Sequence, residues 1–276
     1  MKIRSALAAL LLLAFGAGAA HAQSGQPLKM SLDFDGTLYP FNLVPVKVLV
    51  VHADGRATPG GYESSVSMKS YGILRALKKV DIDAQTEGHV GRDGQAYPNA
   101  FTYVHHDGKR VRRVHVTWGP GVVQMVSTPP FVDLGQPPAS LGQRLASVDP
   151  LTQFVRVANA ADAQAICRGP DQFFDGKQLY QLSFGRVEPA QLTPQMKALG
   201  ITRVAQCTVH YTEIAGFKAK PPKDRQQGLT SPITMVFGQV GQTGPWVIAN
   251  IHASTVIGYA DIVLRRITVT GERPRA

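Results

Sequence analysis

Residues 105–118 read "HHDGKRVRRVHVTW", and their pattern decides the fold class. Val114, Val116 and Trp118 fall on one face of an extended chain, with Arg113, His115 and Thr117 on the other. A period of two marks a strand with one buried face. Asp107-Gly108 precedes it and supplies the positive φ angles of a tight hairpin. The same pattern recurs in both directions along the chain. "KMSLDFDGTLY" alternates through Met30, Leu32 and Phe34, and "YESSVSMKS" sets Tyr62, Ser64, Val66 and Met68 on one side. "KQLYQLSF" groups Tyr180, Leu182 and Phe184. "VPVKVLVVH", "ITMVFGQV", "WVIANIHAS" and "DIVLRRITVTGE" carry the pattern to the end of the chain. Asp54-Gly55, Asp93-Gly94 and Asp175-Gly176 read as three further hairpin turns. The expected fold is mainly β: a single curved antiparallel sheet, rolled as a barrel, a spiral or a half-open roll. Twist accumulates across so many strands, and the edges need protection.

Helical signals are few, and one or two short helices are expected to pack on the sheet. In "VDPLTQFVRVAN", Asp149 can cap and Pro150 suits the first helical position. Leu151, Phe154, Val155 and Ala158 then share a face. "SYGILRALKK" predicts a short helix with Leu74 and Leu77 inward, and Thr193 to Gly200 predicts a further turn or two. "FKAKPPKDRQQGLTS" is a basic loop carrying Lys218, Lys220, Lys223 and Arg225.

The chain opens "MKIRSALAALLLLAFGAGAAHA", which reads as a secretory signal peptide over residues 1–22. Lys2 and Arg4 precede an apolar stretch from Ala6 to Phe15, and Ala20-His21-Ala22 is a cleavage pattern. That stretch is shorter than the roughly 20 residues of a bilayer span, and no later segment suffices, so no transmembrane segment is expected. The expected organisation is the leader followed by one β-rich domain over residues 23–276, soluble in the periplasm. The chain carries a formal charge of +10, and loss of Lys2 and Arg4 with the leader leaves +8. Such a balance attracts anionic envelope polymers and lipid headgroups.

Cys167 and Cys207 are the only cysteines. A metal site lacks further ligands at suitable spacing, and neither cysteine sits in a nucleophile signature. A structural disulfide fits an exported chain with an even count. "CRGPDQFFDGKQLYQLSF" followed by "QCTVHYTEIAGF" resembles the C-terminal signature of a bacterial exported family, domain of unknown function 3108. The likeness rests on Cys167, Phe174-Asp175-Gly176, Lys177, Tyr180 and Leu182, then Cys207, Tyr211 and Ile214-Ala215-Gly216-Phe217. "DPLT" at Asp149 to Thr152 is similar to the family as well. The resemblance implies a β-rich exported fold with a disulfide, and it implies no reaction.

No Gly-x-Ser-x-Gly elbow, phosphate loop or dinucleotide fingerprint occurs, and no cofactor, metal site or catalytic set is assigned. His105 and His106 are adjacent, so in a strand they point to opposite faces. Asp33 and Asp35 share a face, either as an acid–base pair or as part of a solvated surface. Lys109, Arg110, Arg112 and Arg113 form the densest basic run and are the candidate anion-binding residues. Aromatics are not interleaved with the bases, so no nucleic-acid partner is expected. The expected function is non-enzymatic: a periplasmic cell-envelope protein that binds or scaffolds a hydrophobic ligand or an envelope protein, lipid or glycan. The alternative is a hydrolase or transferase acting on envelope glycans or lipids. Nothing in the sequence sets the oligomeric state.

Overall fold

The computed structural model describes residues 27–58, 60–77, 79–169, 171–218, 229–255 and 258–271. The alternating segments form thirteen strands in one antiparallel sheet. The first meander is β1 (Leu28–Pro40), β2 (Val46–Thr58), β3 (Gly61–Ser70), β4 (Val80–Val90), β5 (Ala96–Asp107), β6 (Arg110–Gly119) and β7 (Val122–Thr128). The second is β8 (Asp171–Phe174), β9 (Leu179–Glu188), β10 (Ile201–Ala215), β11 (Leu229–Val240), β12 (Trp246–Thr255) and β13 (Gly258–Thr270). Within each meander every strand pairs with its neighbour in sequence, and β1 pairs with β13 to join the two meanders at the middle. The edges are therefore β7 and β8.

The sheet is rolled but not closed. Its ends meet through side chains: Gly176, in the β8–β9 turn, lies against Val114, Val116 and Met125 of β6 and β7. Phe101, Val114, Val116 and Val123 from one end share a core cluster with Phe174, Leu179 and Ala215 from the other. The chain between β7 and β8 crosses the roll and carries α2 (Leu141–Leu145), α3 (Thr152–Asn159) and α4 (Ala163–Ile166). With α1 (Gly72–Leu77) and α5 (Pro194–Ala198), the described residues contain five short helices instead of the expected one or two. Ser140, Asp162 and Thr193 cap three of them through their side chains, which lets pieces this short hold together.

α3 buries Thr152, Val155, Val157 and Ala158 and touches β3, β5 and β12. It begins at Thr152, two residues later than Pro150, because the Asp149 carboxylate accepts from the Leu151 and Thr152 amides and so caps from outside the helix. Beside α3, Leu28, Leu32, Ala57 and Phe154 leave a hollow of about 40 Å³. That is roughly the share of a single water. α3 thus packs on the apolar side of the sheet, as expected for one of its short helices, and leaves this small apolar hollow beside it.

Two local expectations are corrected. Asp54-Gly55 is not a hairpin but the middle of β2, paired to both β1 and β3. Ladders on both sides outweigh a local turn preference. β2 runs on to Thr58, and β3 starts at Gly61. Leu74 of α1 is not inward: it is 37 % exposed, because the helix lies against the start of β2 at the end of the sheet and not on its face. The other three Asp-Gly turns hold, with Gly94, Gly108 and Gly176 all at positive φ. Cys167, the C-cap of α4, is joined to Cys207 of β10 in a disulfide with Cα atoms 6.0 Å apart. No helix of the described residues is long and apolar enough to cross a membrane.

Candidate functional site

Strand alternation turns one set of side chains into the core and the other set outward. On β1 to β6 and β13 the outward set lines an open trough. One hollow of it, about 700 Å³, is lined by Arg56, Glu63, Ser65, Gln85, Glu87 and Thr268 among others. A second hollow of about 710 Å³ shares Asp54, Ser65, Gln85, Thr102 and His115 with the first. A third, about 450 Å³, continues past His52 to Asp33 and Asp35. Seven adjacent strands contribute, which at about 4.8 Å per strand makes the trough roughly 29 Å across. Its lining mixes hydroxyl, amide and charged side chains of both signs with apolar surface from Met30, Ala100, Val66, Ala84 and Val104.

A ladder of ion pairs crosses the strands along one side of the trough. His52 bonds Asp33 at 2.7 Å through Nδ1 and Asp54 at 3.0 Å through Nε2. The hydrogen bond to Asp33 is the main reason that the His52 pKa is raised. Asp33 also faces Arg266 at 3.5 Å. Asp35 holds Lys47 at 2.6 Å and Arg265 at 3.3 Å. Asp33 and Asp35 do share the outward face, and each is engaged by a basic side chain from both neighbouring strands. Thr102 Oγ1 and His115 Nδ1 lie 2.7 Å apart on the trough floor.

The basic run is divided by the same alternation. Lys109 and Arg110 stand exposed at the β5–β6 turn. Arg112 turns to the core side, its guanidinium 4.4 Å from the Phe131 ring centroid. Arg113 turns outward and lines the trough. Lys218 is exposed beyond β10, and Lys220, Lys223 and Arg225 lie outside the described residues.

The carboxyl groups with raised pKa values sit elsewhere. Burial raises Asp149, Asp171 and Asp175. Asp149 is fully buried and accepts from the Thr86 hydroxyl at 2.9 Å, from the Thr152 hydroxyl, and from two backbone amides. Asp171 faces Arg156 at 3.2 Å. Asp175 closes the β8–β9 turn by accepting from the Lys177 and Gln178 amides at 2.9 and 2.7 Å. None of the three lines the trough. Among the described residues no three His, Cys, Asp or Glu side chains converge as metal ligands do.

Glu63, Ser65, Gln85, Glu87 and Thr102 did not stand out as site residues in the sequence. Alternation marks them as outward, but no short motif encodes that outward residues from separate strands line one hollow.

No family model and no curated protein matches the chain. Among solved structures it is similar to a beta-barrel-like protein of domain of unknown function DUF1849 from Brucella abortus, at 13 % identity and a TM-score of 0.48. That match covers 88 % of this chain and 98 % of the other.

Proposed function

We propose that this is a non-catalytic binding protein of the cell envelope, exported to the periplasm by its 1–22 leader, and that the trough takes an extended, polyhydroxylated envelope glycan. The observation that carries the reading is the lining. Hydroxyls, amides and paired charges spread over seven strands offer alternating donors and acceptors, as a chain of hydroxyl and amide groups requires. The apolar side, by contrast, is occupied by α3. Binding is favoured over hydrolysis or transfer because the carboxyls with raised pKa values are buried away from the trough. Assignment to the family of domain of unknown function 3108 is part of the same proposal, supported by the pairing of the two cysteines on which the resemblance rests.

The test is an NMR titration of the protein with soluble peptidoglycan oligosaccharides. Amide shifts should centre on Ser65, Gln85 and Thr102, and Glu63→Ala with Gln85→Ala should abolish them. The oligosaccharides should be recovered uncleaved by mass spectrometry. Absence of shifts in the trough overturns the reading, and cleavage products would establish the enzyme alternative instead.

A further inference from the structure

At one end of the roll the chain exposes what it elsewhere buries. Phe41, Leu43 and Val44, in the β1–β2 turn, are 76 %, 75 % and 67 % exposed. Beside them stand Tyr71, Ile73 and Leu74 at the entry to α1 and within it, with Ile73 63 % exposed. The two segments are neighbours: Tyr71 donates to the Val48 carbonyl at 2.7 Å, and the Lys47 ammonium lies 4.9 Å from the Tyr71 ring centroid. Exposed apolar side chains clustered at one end of a sheet mark an interaction site.

Backbone conformation gives a second, independent sign. Phe41 and Asn42 both have positive φ, 52° and 60°. Asn tolerates that region, but for a bulky aromatic it is an outlier. Glycine would occupy the turn without strain, yet the position presents a phenyl ring to solvent. A hairpin tip strained in order to display an apolar ring is better explained by what it contacts than by the fold.

Charge points to the partner. The next hairpin along the same end carries Lys109 and Arg110, and Gly108 of that hairpin donates to the Lys79 carbonyl at 3.1 Å, just after α1. Arg75 and Lys79 share Asp81 at 2.6 and 3.8 Å. Among these groups Arg75, Lys79, Lys109 and Arg110 carry four positive charges and Asp81 and Asp107 two negative ones, a surplus of two. Aromatic and aliphatic tips flanked by Lys and Arg fit the boundary between acyl chains and anionic headgroups.

We propose that this end of the roll docks on the surface of a bilayer containing anionic lipids, with Phe41, Leu43 and Ile73 inserted at the headgroup boundary and Lys79, Lys109 and Arg110 at the phosphates. The trough, on the outward face of the strands, stays open in that pose.

The test is co-flotation of the purified, disulfide-bonded protein with vesicles of phosphatidylcholine alone and of an equimolar mixture with phosphatidylglycerol. Binding to the anionic vesicles should weaken as salt is raised. Phe41→Gly with Leu43→Ser should lower partitioning at least about tenfold. Phe41→Gly alone should not lower the melting temperature, since it removes the strained φ. Lys109→Gln and Arg110→Gln should each weaken binding to the anionic vesicles by roughly fivefold and leave neutral vesicles unaffected. A Phe41→Trp variant should be quenched by brominated lipid. Failure to float with anionic vesicles at low salt overturns the proposal, as does unchanged flotation of the Phe41/Leu43 variant. It is equally overturned if the protein sediments as a dimer that Phe41→Gly dissociates, since a second copy would then cover the patch. Flotation should persist with the trough saturated by oligosaccharide, so the two sites fail separately.

Discussion

Asp149 shows how one residue can hold several elements. Its carboxylate satisfies two amides at the start of α3 and the hydroxyls of Thr86 on β4 and Thr152 on α3, and Tyr62 of β3 bonds Thr152 at 2.7 Å. Asp149→Ala would leave these donors unmatched in a dry site and should cost at least about 3 kcal/mol. Asp149→Asn keeps an acceptor for the amides and should cost less. Burial outweighs the hydrogen bonds and raises the Asp149 pKa. The fold therefore favours the protonated form. That contribution is fully present below the unfolded value of about 3.9 and is lost as pH rises through the higher folded value. Relative to wild type, the penalty of Asp149→Asn should accordingly shrink between acid and neutral pH. Denaturant melts at several pH values measure it, and a penalty independent of pH would refute the assignment. The sequence did mark Asp149 as a cap, but it could not show that the same carboxylate would meet β4 across sixty residues.

At the scale of elements, alternation was a reliable guide. β1, β3 and β6 bury the faces that period two predicts, with Leu32, Phe34, Tyr62, Val114 and Val116 all turned in, whereas in β9 the buried residue is Leu179, out of step with the expected Tyr180, Leu182 and Phe184, which are half-buried. Local turn chemistry was a weaker one. Asp107-Gly108 ends a strand, whereas Asp54-Gly55 continues one, because the neighbours that decide between them lie far away in sequence. In "YPFNLVP" the signal is local: Asn42 between two prolines marks a turn with an apolar tip. The disulfide clamps the crossover at α4 to β10, closing forty residues of chain that include β8, β9 and α5. A loop of this length implies about 4 kcal/mol in the chain-entropy model. Cys167→Ser with Cys207→Ser should lower stability by roughly that amount while leaving the sheet intact, as urea melts and far-UV circular dichroism would show. A double variant as stable as wild type would mean that the bond does not constrain the unfolded chain.

For the whole molecule, the decisive property is that the two ends of a long open sheet meet without hydrogen-bonding to each other. Composition and turns announced a rolled sheet, but the order of strands could not be read, because the β1–β13 pairing joins the two extremes of the domain. Strands near that junction carry ladders on both sides, while β7 and β8 are laddered on one side only, β8 with a further bridge to Val148, and meet each other's end of the sheet through packing. Gly176 is the tightest point of this contact: its φ is +96°, and a Cβ there would stand 2.4 Å from Val114 and 3.0 Å from Val116. Gly176→Ala must both strain the turn and push the ends apart, at a cost of about 1–3 kcal/mol from overpacking alone. If the contact is what keeps the roll shut, the damage should not stay in the β8–β9 turn. Hydrogen exchange should accelerate together in β6–β7 and in β8–β9, about sixty residues apart for Val116 and Leu179, while β1 and β13 keep their protection. Acceleration confined to β8–β9 would show that each meander is held by its own ladder and that the ends merely touch.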